Sequence, residues 1–254
     1  MRAGDPHIEV RGLTMHSGAR VIQRDLDFTV NRGDVFVIMG GSGCGKSTLL
    51  KHMIGLLEPA AGEVLYDGVS FQRAGAAGRD ALRRRWGITY QSGGLFSAMT
   101  LAENVALPLQ QYTPLDAAAI ADVVAYKLAL VGLAGFEDYY PSEISGGMQK
   151  RAGLARAIAL DPEILFFDEP SAGLDPLSSR LLDELILHMR DALGVTVVIV
   201  THELASIVAS GNNSVYLDAE SRTMLDHGDP KALRDRNRRT SSWSLPVSRC
   251  CGSP

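Results

Sequence analysis

Nine consecutive residues, Gly40-Gly41-Ser42-Gly43-Cys44-Gly45-Lys46-Ser47-Thr48, constrain this chain more than any other stretch. They satisfy G-x-x-x-x-G-K-[ST], with Gly40, Gly45, Lys46 and Ser47 at the fixed positions. Before them, Val35-Phe36-Val37-Ile38-Met39 is a continuous apolar run, the pattern of a strand buried on both faces. After them, Thr48 to Leu57 reads as a helix that stops at Glu58-Pro59. Strand, loop and helix in that order separate a phosphate-binding loop from a glycine-rich turn with a chance lysine.

The expected chemistry follows from the backbone. Glycines let the loop approach an anion closely, and its N–H groups converge on phosphate oxygens at a helix N-terminus. Lys46 is then expected at the β- and γ-phosphates of a nucleoside triphosphate, and the Ser47 hydroxyl on Mg²⁺.

Around this loop the chain alternates strands and helices. Ile8 to Val30 reads as an antiparallel strand pair, and Gly62 to Gly68 and Trp86 to Gln91 as further strands. Residues 73–80, rich in Gly and Ala, read as a loop. From about Ser92 to Ala159 strand signals stop, which predicts an all-helical insertion. Within it Thr113 is the expected N-cap of a helix, with Pro114 at N1 and Asp116 completing a capping box. Ser145-Gly146-Gly147 caps a later helix running through Arg156. Strands resume at Ile164–Phe167 and Val195–Val200, with a helix from Asp175-Pro176 to Gly194 between them. The pattern predicts an α/β fold of the P-loop NTPase (RecA-like) kind: a mostly parallel sheet core, antiparallel N-terminal strands and an inserted α-helical subdomain. Residues 1–91 and 160–230 form the expected nucleotide-binding core, 92–159 the helical subdomain and 231–254 a basic C-terminal tail.

Composition narrows the classes. The 254 residues suit one large domain or a core with an insertion, and a formal charge of −4 argues against wholesale nucleic-acid binding. No run approaches the roughly 20 apolar residues that span a bilayer, and no signal peptide is visible. Three cysteines, one of them Cys44 inside the loop, make no disulfide framework and suit a reducing setting. The tail from Lys231 carries six basic residues against Asp235, so it is +5 and the rest of the chain is −9. It reads as a solvated, partly disordered end. Cys250 and Cys251 read there as incidental thiols.

Three further pieces bear on the chemistry. Four apolar residues lead into Asp168-Glu169, at a strand end expected next to the loop's own strand. Asp168 is a candidate for holding Mg²⁺ and Glu169 for activating a water. Ser145-Gly146-Gly147-Met148-Gln149, 23 residues earlier, is a glycine-exposed helix start and a second anion site. One nucleotide needs only one phosphate loop, so this second terminus suggests a site shared between two copies. His202 follows the apolar strand 34 residues past Asp168, where a histidine beside the γ-phosphate suits fixing the water with Glu169.

This set resembles the nucleotide-binding subunit of ABC (ATP-binding cassette) transporters over roughly residues 7–230. Gly40–Thr48 resembles the Walker A motif, Ile164–Glu169 Walker B and Ser145–Gln149 the signature. Gln91 falls at the Q-loop, Ser171–Asp175 at the D-loop and His202 at the switch histidine. The resemblance implies a homodimer clamping two ATPs, each between the Walker motifs of one copy and Ser145, Gly146 and Gly147 of the other. It also implies that Gln91 links Mg²⁺ to the helical subdomain, whose surface near Gly93–Leu107 would grip a polytopic membrane permease. Both sites of such a dimer would hydrolyse ATP, at the cytoplasmic face of an inner membrane. The family's usual adenine-stacking aromatic is missing near position 17, where the chain has Met15-His16-Ser17-Gly18; His16 is the expected substitute.

The signature with Met148, the run Gln149–Ala157 and the segment Phe167–Pro176 resemble the Mla/Mkl-type ATPases of MCE lipid transporters. That likeness implies phospholipid movement between membranes, with MCE-domain and in some members STAS-domain partners. An ABC ATPase for an amino acid or lipoprotein remains the alternative. A soluble ABC ATPase acting on DNA or ribosomes is disfavoured by the single cassette and the acidic charge.

Overall fold

The computed structural model describes residues 4–91, 93–201 and 211–237. The first twelve-residue strands, β1 (Pro6–Ser17) and β2 (Arg20–Asn31), pair antiparallel. With β4 (Ala61–Tyr66) and β5 (Val69–Ser70) they make a four-stranded sheet in the order β2-β1-β4-β5. A six-stranded sheet holds β3 (Val35–Gly40), β6 (Trp86–Thr89), β7 (Ile164–Asp168), β8 (Thr196–Val200), β9 (Asn213–Leu217) and β10 (Met224–His227). Its order is β10-β9-β3-β8-β7-β6, parallel except for the β10–β9 pair.

Alternation along these central strands assigns their two faces. Phe36, Ile38, Phe166, Val198 and Val200 pack with α1 (Lys46–Met53) and the four-stranded sheet. Val35, Leu165, Phe167, Val197 and Ile199 pack on the other side with helices α3 (Leu101–Tyr112), α4 (Ala117–Leu130), α5 (Gly146–Ala157) and α6 (Pro176–Leu193). Strands buried on both faces explain the unbroken apolar runs. No helix among the described residues is long and apolar enough to cross a membrane.

Four local expectations are corrected. β7 is not next to β3, because β8 lies between them. Thr113 is not an N-cap: it ends α3, its hydroxyl donating to the Leu109 carbonyl at 2.7 Å. The proline at 114 disfavours a helical residue before it, and Asp116 caps α4 instead, accepting from Ala119 N–H at 2.9 Å. Residues 76–83 form a helix, α2 (Ala76–Arg83), which takes over most of the loop expected at 73–80. It buries only Leu82, but Arg79 and Arg83 lie 5.2 and 5.4 Å from the Phe71 ring and hold it by stacking. The tail begins as a helix, α7 (Pro230–Asn237), with Leu233 buried against Val37 and Met39.

At the strands' amino-terminal edge an ion network ties the two sheets. Asp67 accepts from both Arg32 and Arg85, and Arg85 reaches Glu163 at 2.7 Å. Buried His7 places Nδ1 2.7 Å from Thr196 Oγ1, which also accepts from Gly33 N–H.

Candidate nucleotide-binding site

The opposite, carboxyl edge of the sheet is where a parallel α/β sheet gathers ligands. β3 ends there at Gly40, and the loop from Gly40 to Thr48 turns into α1, with Gly45 as its N-cap at φ 101°. A Cβ at Gly45 would stand 2.5 Å from Ile22 Cγ2, so packing against β2 excludes any larger residue. Below the loop, fully buried Gln23 donates Nε2 to the carbonyls of Cys44 and Asp218, each at 2.8 Å. Burial pushes the Cys44 thiol pKa up, keeping it a neutral packing group. Lys46 Nζ donates to the loop's own carbonyls, Gly40 at 3.0 Å and Gly41 at 3.1 Å.

The loop opens on a cleft of about 910 Å³ lined also by Gln91, Glu169, Arg20 and Ile22. Ser47 Oγ donates to Asp168 Oδ1 at 2.8 Å. Gly40–Thr48, Gln91, Asp168 and Glu169 are thus brought together as the motif spacing suggested. Glu169 adopts φ 51°, a conformation that costs a non-glycine residue about 1–2 kcal/mol. Its N–H donates to the Val200 carbonyl at 2.9 Å, and its own carbonyl accepts from Ala172 at 3.2 Å. Glu169 combines this backbone with a place in the cleft lining, which makes it a candidate functional position.

Ser145, Gly146 and Gly147 are elsewhere. Ser145 caps α5, accepting from Met148 N–H at 3.3 Å, and with Gly147 it faces a separate cleft of about 360 Å³ beside Ser178 and Leu181. Asp175 caps α6 next to it, and hydrogen bonds from Ser178 hold its carboxyl below the usual carboxylate range. His202, like Cys250 and Cys251, lies outside the described residues. His16 is exposed and does not line the cleft; Ser17 and Arg20, at the β1–β2 turn, do. The sequence had pointed to the segment around Ser17, but Arg20 and Gln23 were missed because only the pairing of β1 with β2 brings them to the loop.

Comparison with known proteins agrees with this geometry. The family model described as ABC transporter matches residues 23–172, and a model of an AAA domain matches 137–209. The "probable ribonucleotide transport ATP-binding protein mkl" of Mycobacterium bovis is 45% identical over 197 residues, 78% of this chain. The chain spans only 55% of that protein's length. The intermembrane phospholipid transport system ATP-binding protein MlaF of Haemophilus influenzae is 39% identical over 232 residues, covering 91% of this chain and 88% of that one. Among solved structures, cbiO1 of Clostridium perfringens, part of the cbiONQ transporter complex, matches at TM-score 0.82 and 28% identity over 93% of this chain and 96% of its own. The dimeric cassette MJ0796 with bound ADP and Pi matches at TM-score 0.77 and 26% identity, over 87% and 98%. By its family match, its relatives and its glycine-loop cleft, the chain belongs to the ABC transporter family of ATP-binding proteins.

Proposed function

We propose that this chain is the ATP-hydrolysing subunit of an ABC transporter that moves phospholipids between membranes. The observation that carries the ATPase reading is one cleft holding the glycine loop, Gln91 and Glu169, with Ser47 bonded to Asp168 beside it. Lys46 leaves its two carbonyls for the β- and γ-phosphates of ATP. Ser47, Asp168 and Gln91 offer only oxygen donors, the set a hard divalent cation takes, and the first two already converge; they fit Mg²⁺. Bound there, Mg²⁺ neutralises charge on the phosphates. Glu169 accepts the proton of the attacking water and His202 orients it.

Because Ser145 and Gly147 line a separate cleft, Ser145–Gly147 act on the ATP of a second copy, with Asp175 at the seam. Residues 92–159 then work as a helical subdomain against the core of 1–91 and 160–230, with 231–254 peripheral. Between β6, α3 and α5 runs a groove of about 790 Å³ lined by Tyr90, Phe96, Tyr112, Arg84 and Arg156. Its exposed aromatic rings suit a segment of a polytopic permease at the cytoplasmic face of the inner membrane.

The relatives' names differ on the cargo, ribonucleotide for mkl and phospholipid for MlaF. We favour phospholipid because the MlaF match runs nearly the full length of both chains. MCE-domain and STAS-domain subunits are the accompanying partners, and nucleic acid is not. The test is mass spectrometry of proteins and lipids that co-purify with the chain from detergent-solubilised membranes, with ATP hydrolysis assayed on the same sample. A permease, an MCE-domain protein and bound phospholipid support the proposal. A permease with a solute-binding protein and no lipid discards the cargo, and the absence of any membrane partner discards the transporter.

A further inference from the structure

Lys150 lies in α5, the helix that Ser145 caps. Its Nζ stands 2.6 Å from the carbonyl oxygen of Pro170 and 2.6 Å from that of Ala172. These two carbonyls bracket Ser171, which is buried, in the turn that directly follows Glu169. Glu169 itself is held at φ 51°. A residue keeps such a backbone only when its surroundings over-determine it. On one side the hydrogen bond from Glu169 N–H to Val200 does this; on the other, the ammonium of Lys150 draws in the next carbonyls with charge-assisted bonds.

The same helix bears on a second catalytic segment. A Cβ at Gly153 would stand 2.6 Å from the Gly93 carbonyl oxygen, and Gly93 is buried against the Gln149 backbone. One rigid helix therefore touches the turn after Gln91, the turn after Glu169, and, at its start, Ser145.

We infer that Lys150 is a positioning residue that ties the signature helix to Glu169, so that movement of α5 resets the carboxylate facing the cleft. The inference rests on the reading of Glu169 as the base. When α5 is seated, Lys150 holds the 170–172 turn and with it the strained Glu169 backbone. When α5 tilts, the two carbonyls lose their donor and the carboxylate loses its frame.

The test uses the chain purified with its membrane partner, measuring kcat and KM for ATP and nucleotide affinity. Lys150→Met is expected to lower kcat by about 10–100-fold while KM and nucleotide affinity stay within about twofold. Lys150→Arg, which keeps charged donors, is expected to recover most of the rate. A kcat within about twofold of wild type in Lys150→Met overturns the inference. So does a loss of nucleotide affinity that Lys150→Arg fails to restore, since that is general damage to the fold. Should Lys150→Met not fold, Lys150→Leu is measured against the same outcomes. Glu169→Gln, run in parallel, separates the two levels: hydrolysis at the wild-type rate there removes the base reading and this inference together. An inactive Glu169→Gln beside a fully active Lys150→Met removes only the role of Lys150.

Discussion

Ser47, in the first turn of α1, and Asp168, at the end of β7, stand 121 residues apart, and a 2.8 Å hydrogen bond joins them. Strand β8 separates β3 from β7, so the bond bridges across the end of an intervening strand. The helix that follows the glycine loop carries Ser47 over this gap. The serine and the aspartate form one unit rather than two independent ligands.

Removing either partner is expected to lower ATP hydrolysis by about 10–100-fold, the effect of losing one charge-assisted contact worth roughly 1.5–3 kcal/mol. Ser47→Ala combined with Asp168→Asn is expected to cost little more than the worse single variant. Steady-state hydrolysis of the three variants checks this; fully additive losses would show that the residues act separately.

The backbone of Glu169 makes a prediction about stability. Both Glu169→Gly and Glu169→Ala remove the carboxylate and abolish turnover. At φ 51° the glycine variant is expected to be the more stable by about 1 kcal/mol, reversing the usual order of these residues. Urea unfolding of the pair decides it, and a more stable alanine variant would mean that the site holds no strain.

Gly153→Ala places a methyl group 2.6 Å from the Gly93 carbonyl oxygen and 3.2 Å from its Cα, where both partners are buried backbone. Overpacking of this kind costs about 1–3 kcal/mol, offset by about 1 kcal/mol of helix propensity. A net destabilisation of about 1 kcal/mol with slower hydrolysis is expected. Thermal melting and turnover that both match wild type would contradict the close contact.

His7 supplies a pH dependence. Burial, with Arg32 nearby, lowers its pKa from 6.5 to about 4. The unfolded chain therefore binds this proton more readily than the folded one. The stability it contributes is complete above pH 6.5 and is lost as pH falls from there toward 4, by up to about 3 kcal/mol. His7→Gln is expected to flatten this limb of the stability–pH curve. Denaturant titrations between pH 4 and 7 measure it, and an unchanged slope would remove His7 as the cause.

How much of this was legible in the sequence depended on range. The glycine loop, the Asp168-Glu169 strand end and the caps at Ser145 and Asp175 are local patterns, and each carries its own physical signal within about ten residues. The place of β8 between β3 and β7 is a nonlocal fact that no local pattern encodes. For the same reason Arg20 and Gln23 went unnoticed beneath a loop some twenty residues downstream. Helix α2 was missed because a glycine at its N-cap, another inside it and a single buried leucine give no apolar stripe, and its support comes from Phe71 outside it. At Thr113 two capping signals competed, and the hydroxyl's bond to the preceding helix won.

The position of Lys46 has a thermodynamic consequence. With its ammonium bonded to the carbonyls of Gly40 and Gly41, and Gln23 bonded to that of Cys44, the cradle is braced by its own hydrogen bonds. An incoming triphosphate exchanges one set of oxygen acceptors for another instead of freezing a loose segment. Calorimetry of nucleotide binding should accordingly show a modest conformational-entropy penalty, and a ligand too short to reach the lysine forfeits the exchange altogether.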